Sequence, residues 1–264
     1  MTLSKSQQVV YLSASCLASL SLLLSVAQGY GQQPTALPKA VLVELFTSEG
    51  CSSCPPADEL LRQVNGRTTS QGQLIVGLSE HVSYWDGLGW RDPYSSDVYT
   101  ARQSAYSTHF GLDSVYTPQM VVNGREQFVG GDSRSLDAAF ASEASRKQIA
   151  LHINSAQVTN GNLTFNYSTS ELPATGSFHL FAVLADDVDR SHVLRGENSG
   201  RELVHVSVAR ALAPIGKLQI ADRRLVNLPL PASYAKNTGS GQHIILFAQQ
   251  DGGGAVIGID TRPL

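Results

Sequence analysis

Hydrophobic and polar residues alternate in three ways along this chain, and each predicts a different kind of element. Val9 to Val26 is an uncharged run rich in Leu, Ala and Ser. Ala40 to Phe46 and Leu74 to Leu78 are short, β-branched apolar runs of the kind that form buried strands. Between them Asp58 to Val64 carries apolar residues at helical spacing. Ser95 to His109 predicts a second helix, with Val98, Ala101, Ala105 and Tyr106 on one side. Gln119 to Val122 and Glu126 to Val129 read as a hairpin about Asn123-Gly124. Ser133 opens a helix through about Lys147, with Leu136, Ala139, Phe140 and Ala144 sharing a face. Beyond Ala150 the period drops to two: Leu163, Phe165 and Tyr167 alternate with Thr164, Asn166 and Ser168 behind an Asn160-Gly161 turn. Phe178 to Ala185, Leu203 to Ala209, Ile215 to Ile220, Ile244 to Ala248 and Val256 to Ile259 are further strand candidates. About seven short strands predict a small antiparallel sandwich or barrel there.

Composition narrows the functional classes. Charged residues make up 16% of the 264, and the formal net charge is −3, so there is no basic footprint for nucleic acid. No run of five or six like charges occurs. The N-terminal run, preceded by Lys5 and ending in Ser25-Val26-Ala27, reads as a secretory signal cleaved before Gln28. Five serines dilute it as a membrane anchor, although its length is just sufficient for one. The expected division is signal peptide 1–27, linker 28–39, an α/β domain 40–148 and a β-rich domain 149–264. The expected location is the periplasm or the exterior, with no membrane attachment after cleavage. Of three cysteines, cleavage removes Cys16 and leaves Cys51 and Cys54.

Two cysteines separated by two residues are too few for a disulfide framework and lack the further ligands of a structural zinc site. Set at a strand-to-helix turn, they can close a small disulfide ring and reopen it by thiolate attack. Chain order makes Cys51 the attacking thiol and Cys54 the resolving one. Pro55 and Pro56 disfavour helical geometry at the residues before them, so the helix is expected to start at Pro56 with both sulfurs in the turn. Glu49, Asp58 and Glu59 are near in sequence, and carboxylates there oppose a thiolate.

Three motifs carry a resemblance: Leu45-Phe46-Thr47-Ser48-Glu49-Gly50-Cys51-Ser52-Ser53-Cys54-Pro55-Pro56-Ala57-Asp58, His81 to Trp90, and Val115 to Gly124. Together they resemble a bacterial family of exported, thioredoxin-like proteins of unassigned function, and Arg195 to Arg201 extends the similarity. The fold class this implies is an α/β thioredoxin-like domain followed by a small all-β, sandwich-like domain. The wider thioredoxin-like resemblance implies a cis proline at Pro118, facing the cysteines and turning the Thr117 backbone toward a substrate strand. The loop from His81 to Trp90 has no counterpart in thioredoxin.

His81 falls at the same end of the sheet as the cysteines. It reads as a proton shuttle, as a copper or zinc ligand beside Cys51 and Cys54, or as a loop histidine bonded to backbone. The six other histidines are expected at surface or strand positions. Tyr84, Trp85 and Trp90 either cover the cysteines, bind a peptide or pack the loop. Arg102, Gln103 and Tyr106 lie at helical spacing and are candidates to face the same cleft, with a solvated helix face the alternative for Arg102 and Gln103, and Glu197, Asn198 and Arg201 are a candidate contact loop. Three functions follow. The first is a thiol-disulfide oxidoreductase acting on protein thiols or disulfides without a cofactor. The second is a periplasmic copper or zinc carrier through Cys51, Cys54 and His81. The third is an interaction module with a structural disulfide. Nothing in the linear pattern indicates Ser-His-Asp catalysis, so hydrolases carry no weight at this level.

Overall fold

The computed structural model describes residues 39–231, 234 and 241–264. The expected signal peptide and residues 28–38 of the linker lie outside the described residues. No helix among the described residues is long and apolar enough to cross a membrane.

The first apolar run is strand β1 (Ala40–Thr47), buried along its whole length. It leads through the cysteine turn into α1 (Pro55–Val64) and then to β2 (Leu74–His81), which pairs with β1 in parallel. A long loop, with a 3-10 turn at Ser83–Trp85, precedes α2 (Asp97–Phe110). Strands β3 (Gln119–Val122) and β4 (Glu126–Val129) form the expected hairpin, followed by α3 (Ser133–Glu143). Asn123 and Asn160 both have positive φ, as do the glycines after them, which is what a tight two-residue hairpin turn requires. Strands β5 (Leu151–Thr159), β6 (Asn162–Thr169) and β9 (Ala221–Pro229) make a three-stranded sheet. The remaining strands are β7 (Phe178–His192), β8 (Glu202–Lys217), β10 (Gln242–Gln250) and β11 (Val256–Pro263).

Sheet order corrects the expected fold class. The main sheet runs β11-β10-β7-β8-β2-β1-β3-β4, eight strands of mixed direction. The chain is therefore mostly β, and it is not an α/β thioredoxin-like domain followed by a small all-β domain. An unpaired β2 edge would expose a row of backbone donors and acceptors. Strand β8 covers it, with Val208 beside Ser79, and β7, β10 and β11 extend the same sheet. The predicted strand Ile215 to Ile220 is instead the end of β8 and a loop, and β9 was not singled out by pattern.

Leu180, Ala182 and Leu184 of β7 face the three-stranded sheet, packing on Leu163, Phe165 and Tyr167. Val183 and Ala185 face the other way, toward Leu42, Leu78 and Tyr99 of α2. Helices α1 and α3 cover β1 and β3 through Leu61, Leu136 and Phe140. Of the apolar face expected for α2 only Tyr106 is buried, while Val98 is 48% exposed and Ala101 and Ala105 also face outward, and Tyr99 and Gln103 are buried in their place. That face is polar because it meets polar groups. Arg102 pairs with Glu44 and lies 3.5 Å from Glu80, while Gln103 donates to the Tyr116 carbonyl at 2.7 Å. Burial, then the neighbouring Glu44, pushes the Glu80 carboxyl well above the usual range.

The β3–β4 turn also touches the C-terminal strands. Val256 donates to the Asn123 carbonyl at 2.8 Å. A methyl group on Gly124, whose φ is +61, would sit 2.3 Å from the Gly254 carbonyl oxygen. Gly124→Ala is expected to cost about 2–3 kcal/mol in urea unfolding, from the left-handed backbone and the backbone clash together. An unchanged unfolding midpoint would refute this packing.

Candidate functional site

The site forms where β1 and β2 end. Thr47 and His81 are the last paired residues of the two strands, and the chain then turns through Glu49-Gly50-Cys51. Cys51 donates its backbone N–H to the Ser48 carbonyl at 3.2 Å, and Cys54 donates to the Cys51 carbonyl at the same distance. Cys54 takes helical geometry despite the proline after it and caps α1, which starts at Pro55, one residue earlier than expected. Cys51 and Cys54 are disulfide-bonded, with Cα atoms 5.4 Å apart. Both are fully buried.

The tip of the β7–β8 hairpin docks on the backbone of this turn. The Asn198 side-chain amide donates to the carbonyls of Glu49 and Cys51, both at 2.9 Å. Ser52 N–H donates to Glu197 Oε2 at 3.0 Å, and the Ser52 side chain, then this N–H, hold the exposed Glu197 carboxyl below its ordinary range. Gly196 lies against Gly89 and Trp90, so the tip and the His81 to Trp90 loop close together over the turn. Leu88 and Leu194, 63% and 65% exposed, flank that closure.

The Thr117–Pro118 bond is cis. Ala57 of α1 and Pro118 both crowd Gly130, at 2.9 and 3.1 Å from where a Cβ would stand, which brings Pro118 beside the first turn of α1. Trp85 donates its indole N–H to Thr117 Oγ1 at 2.9 Å, and Tyr84 donates its hydroxyl to Gln103 at 3.2 Å. These contacts set the aromatic loop across Thr117. Arg102 and Tyr106 belong instead to the polar layer under α2, with Tyr106 donating to Glu44. Glu59 turns to Arg62 on the helix surface.

A buried ionic cluster lies beside the turn. His81 Nδ1 is 2.7 Å from Asp92 Oδ2, which also accepts from Glu49 N–H at 2.8 Å. Trp90 donates its indole N–H to Glu49 Oε2 at 2.7 Å. His205, from β8, stands 3.4 Å from Glu49 Oε1 and 3.7 Å from Asp58 Oδ1, with its ring edge-on to His81 at 4.6 Å. Burial works to lower the His205 pKa, but Asp58 and then Glu49 outweigh it and push it up to about 10. Burial raises Asp92, and its pairing with His81 overcomes that and leaves it below the usual range. His205 is thus a buried cation at neutral pH. A cleft of about 340 Å³ lined by Pro55, Asp58, Arg62 and Val204 reaches this cluster from the surface.

The copper or zinc reading of Cys51, Cys54 and His81 finds no support in this geometry, because His81 is held by Asp92 and the sulfurs by each other. Among the described residues no group of three or more His, Cys, Asp or Glu side chains is placed to hold a metal ion. Asp92 and His205 are the residues that sequence reasoning missed. A histidine inside the apolar strand Leu203 to Ala209 was the available signal.

Residues 42–249 match the family described as "Protein of unknown function (DUF1223)", and the chain belongs to it. A crystal structure of a protein from Agrobacterium tumefaciens is 28% identical, with a TM-score of 0.60 over 85% of this chain and 94% of that one. HBP35 of Porphyromonas gingivalis shares the fold at 12% identity, with a TM-score of 0.61 over 86% of this chain and 76% of that one. No curated protein matches the chain.

Proposed function

We propose that this protein is a thiol-disulfide oxidoreductase that works outside the cytoplasm on protein thiols or disulfides through Cys51 and Cys54. The observation that supports it is a disulfide ring at the N-terminus of α1, with Pro118 beside that helix's first turn and a buried imidazolium–carboxylate cluster next to the cysteine turn. The helix N-terminus favours a thiolate and so favours reopening of the ring. In the oxidising direction a substrate thiolate attacks Cys51 Sγ, the bond to Cys54 breaks, and Cys54 leaves as a thiolate that takes up a proton. A second substrate thiolate attacks the sulfur joined to Cys51, which closes the substrate disulfide and releases Cys51. Two electrons pass to the cysteine pair.

Cys54→Ala is expected to trap a mixed disulfide when the Cys51 thiolate attacks a disulfide-bonded peptide and expels one of its thiols, visible as a mass adduct that dithiothreitol removes. Titration of the native pair against glutathione is expected to give a potential between about −120 and −270 mV. A potential below about −300 mV with no trapped adduct would assign the bridge to structure. Complete burial of both sulfurs favours that second reading.

A further inference from the structure

We propose a second reactive centre, a serine nucleophile at Ser207, built on three adjacent strands and independent of the cysteine turn. Ser207 lies on β8, Asp187 on β7 and His243 on β10, and these strands are neighbours in the order β10-β7-β8. Asp186 pairs with Val208 and Val188 with Val206, which sets Asp187 opposite Ser207. His243 pairs with Ala185, so its ring leans across β7. His243 Nδ1 is 2.5 Å from Asp187 Oδ1, and Nε2 is 2.9 Å from Ser207 Oγ. With Nδ1–H donated to the carboxylate, Nε2 is left to accept the serine proton, which is how a general base activates a hydroxyl.

A second observation points the same way. Ser207 has φ +50 inside a strand, a left-handed backbone that costs an L residue about 1–2 kcal/mol. Backbone outliers of this kind concentrate at reactive positions, and nucleophilic serines on sharp turns are among them. Ser207 is buried, while the His243 and Asp187 side chains are 15% and 47% exposed, so the relay opens to solvent at its carboxylate end. The relay's chemistry is that of acyl transfer from an ester or thioester, which reaches Oγ only when the cover over the fully buried Ser207 opens. The Oγ proton passes to His243 Nε2 as Oγ bonds to the acyl carbon. The leaving alcohol or thiol takes that proton, and a water molecule then hydrolyses the acyl-serine to the acid and restores the hydroxyl. Residues 187, 207 and 243 are too scattered for this arrangement to register along the chain.

The test treats the full chain with phenylmethanesulfonyl fluoride and follows intact mass and peptide mapping, with p-nitrophenyl acetate turnover alongside. One adduct per chain is expected, on Ser207. Ser207→Gly is expected to abolish it while still folding, because glycine accepts the positive φ. Asp187→Asn, at an exposed position, is expected to slow labelling by about 100-fold or more. A Cys51→Ser/Cys54→Ser double variant is expected to label normally, so this result is separate from the redox reading. No adduct, an adduct elsewhere, or equal labelling of Asp187→Asn would overturn the proposal and leave the three residues as a structural tie.

Discussion

Asn198→Ala is expected to speed reduction of the Cys51–Cys54 disulfide by dithiothreitol roughly 10- to 100-fold. Attack on sulfur needs an open approach along the S–S bond, and both sulfurs are fully covered. The hairpin tip is held on the cysteine turn by two hydrogen bonds from one side chain, Asn198 to the Glu49 and Cys51 carbonyls. Removing that amide leaves buried acceptors unpaired only while the hairpin tip is docked, at about 1–3 kcal/mol. The open population rises by the corresponding factor, since about 1.4 kcal/mol is tenfold. Glu197→Gln acts on an exposed contact to Ser52 and is expected to change the rate no more than about twofold. Stopped-flow reduction under single-turnover conditions reads both. Equal rates in Asn198→Ala and the parent would show that the hairpin tip is not the barrier.

The second large effect is a loss of stability on the alkaline side that belongs to His205. Its pKa is raised to about 10 in the folded protein, against about 6.5 unfolded. A group whose folded pKa is raised adds stability that is complete below the unfolded value and disappears as pH climbs through the folded one. Urea unfolding is therefore expected to weaken by several kcal/mol between about pH 7 and pH 10. His205→Gln leaves Glu49 and Asp58 buried opposite no cation, which costs about 3–5 kcal/mol at neutral pH. It also flattens the alkaline slope. A His205→Gln protein with parental stability at pH 7, or with the parental slope, would rule out a buried imidazolium at this position.

These two expectations separate what a linear reading could reach from what it could not. The cysteine pair, the strand before it, the helix after it and both Asn-Gly hairpins were legible, because each rests on residues within a few positions of one another. The α2 face was misread, because Arg102 and Gln103 look solvated until Glu44, Glu80 and the Tyr116 carbonyl are placed beside them. Asp92 and His205 were missed for a related reason. Each is one polar residue in an ordinary loop or strand, and only its partners reveal it. The Ile215 to Ile220 prediction failed because the strand it belongs to begins earlier, at Glu202, and bends through two register shifts in its pairing with β7.

By itself the sequence determined most of the local elements and the dithiol turn, since backbone sterics and hydrophobic period act over short distances, while the place of Pro118 came from the resemblance. Only the tertiary structure decided that β8 closes the edge of β2 and joins the strands into one eight-stranded sheet. That pairing carries Asn198 and His205 from the far end of the chain to the cysteines. Backbone hydrogen bonding along an open strand edge is satisfied by any strand of suitable register. The choice among such partners is made by how all the faces pack at once, and no short stretch of sequence contains that information.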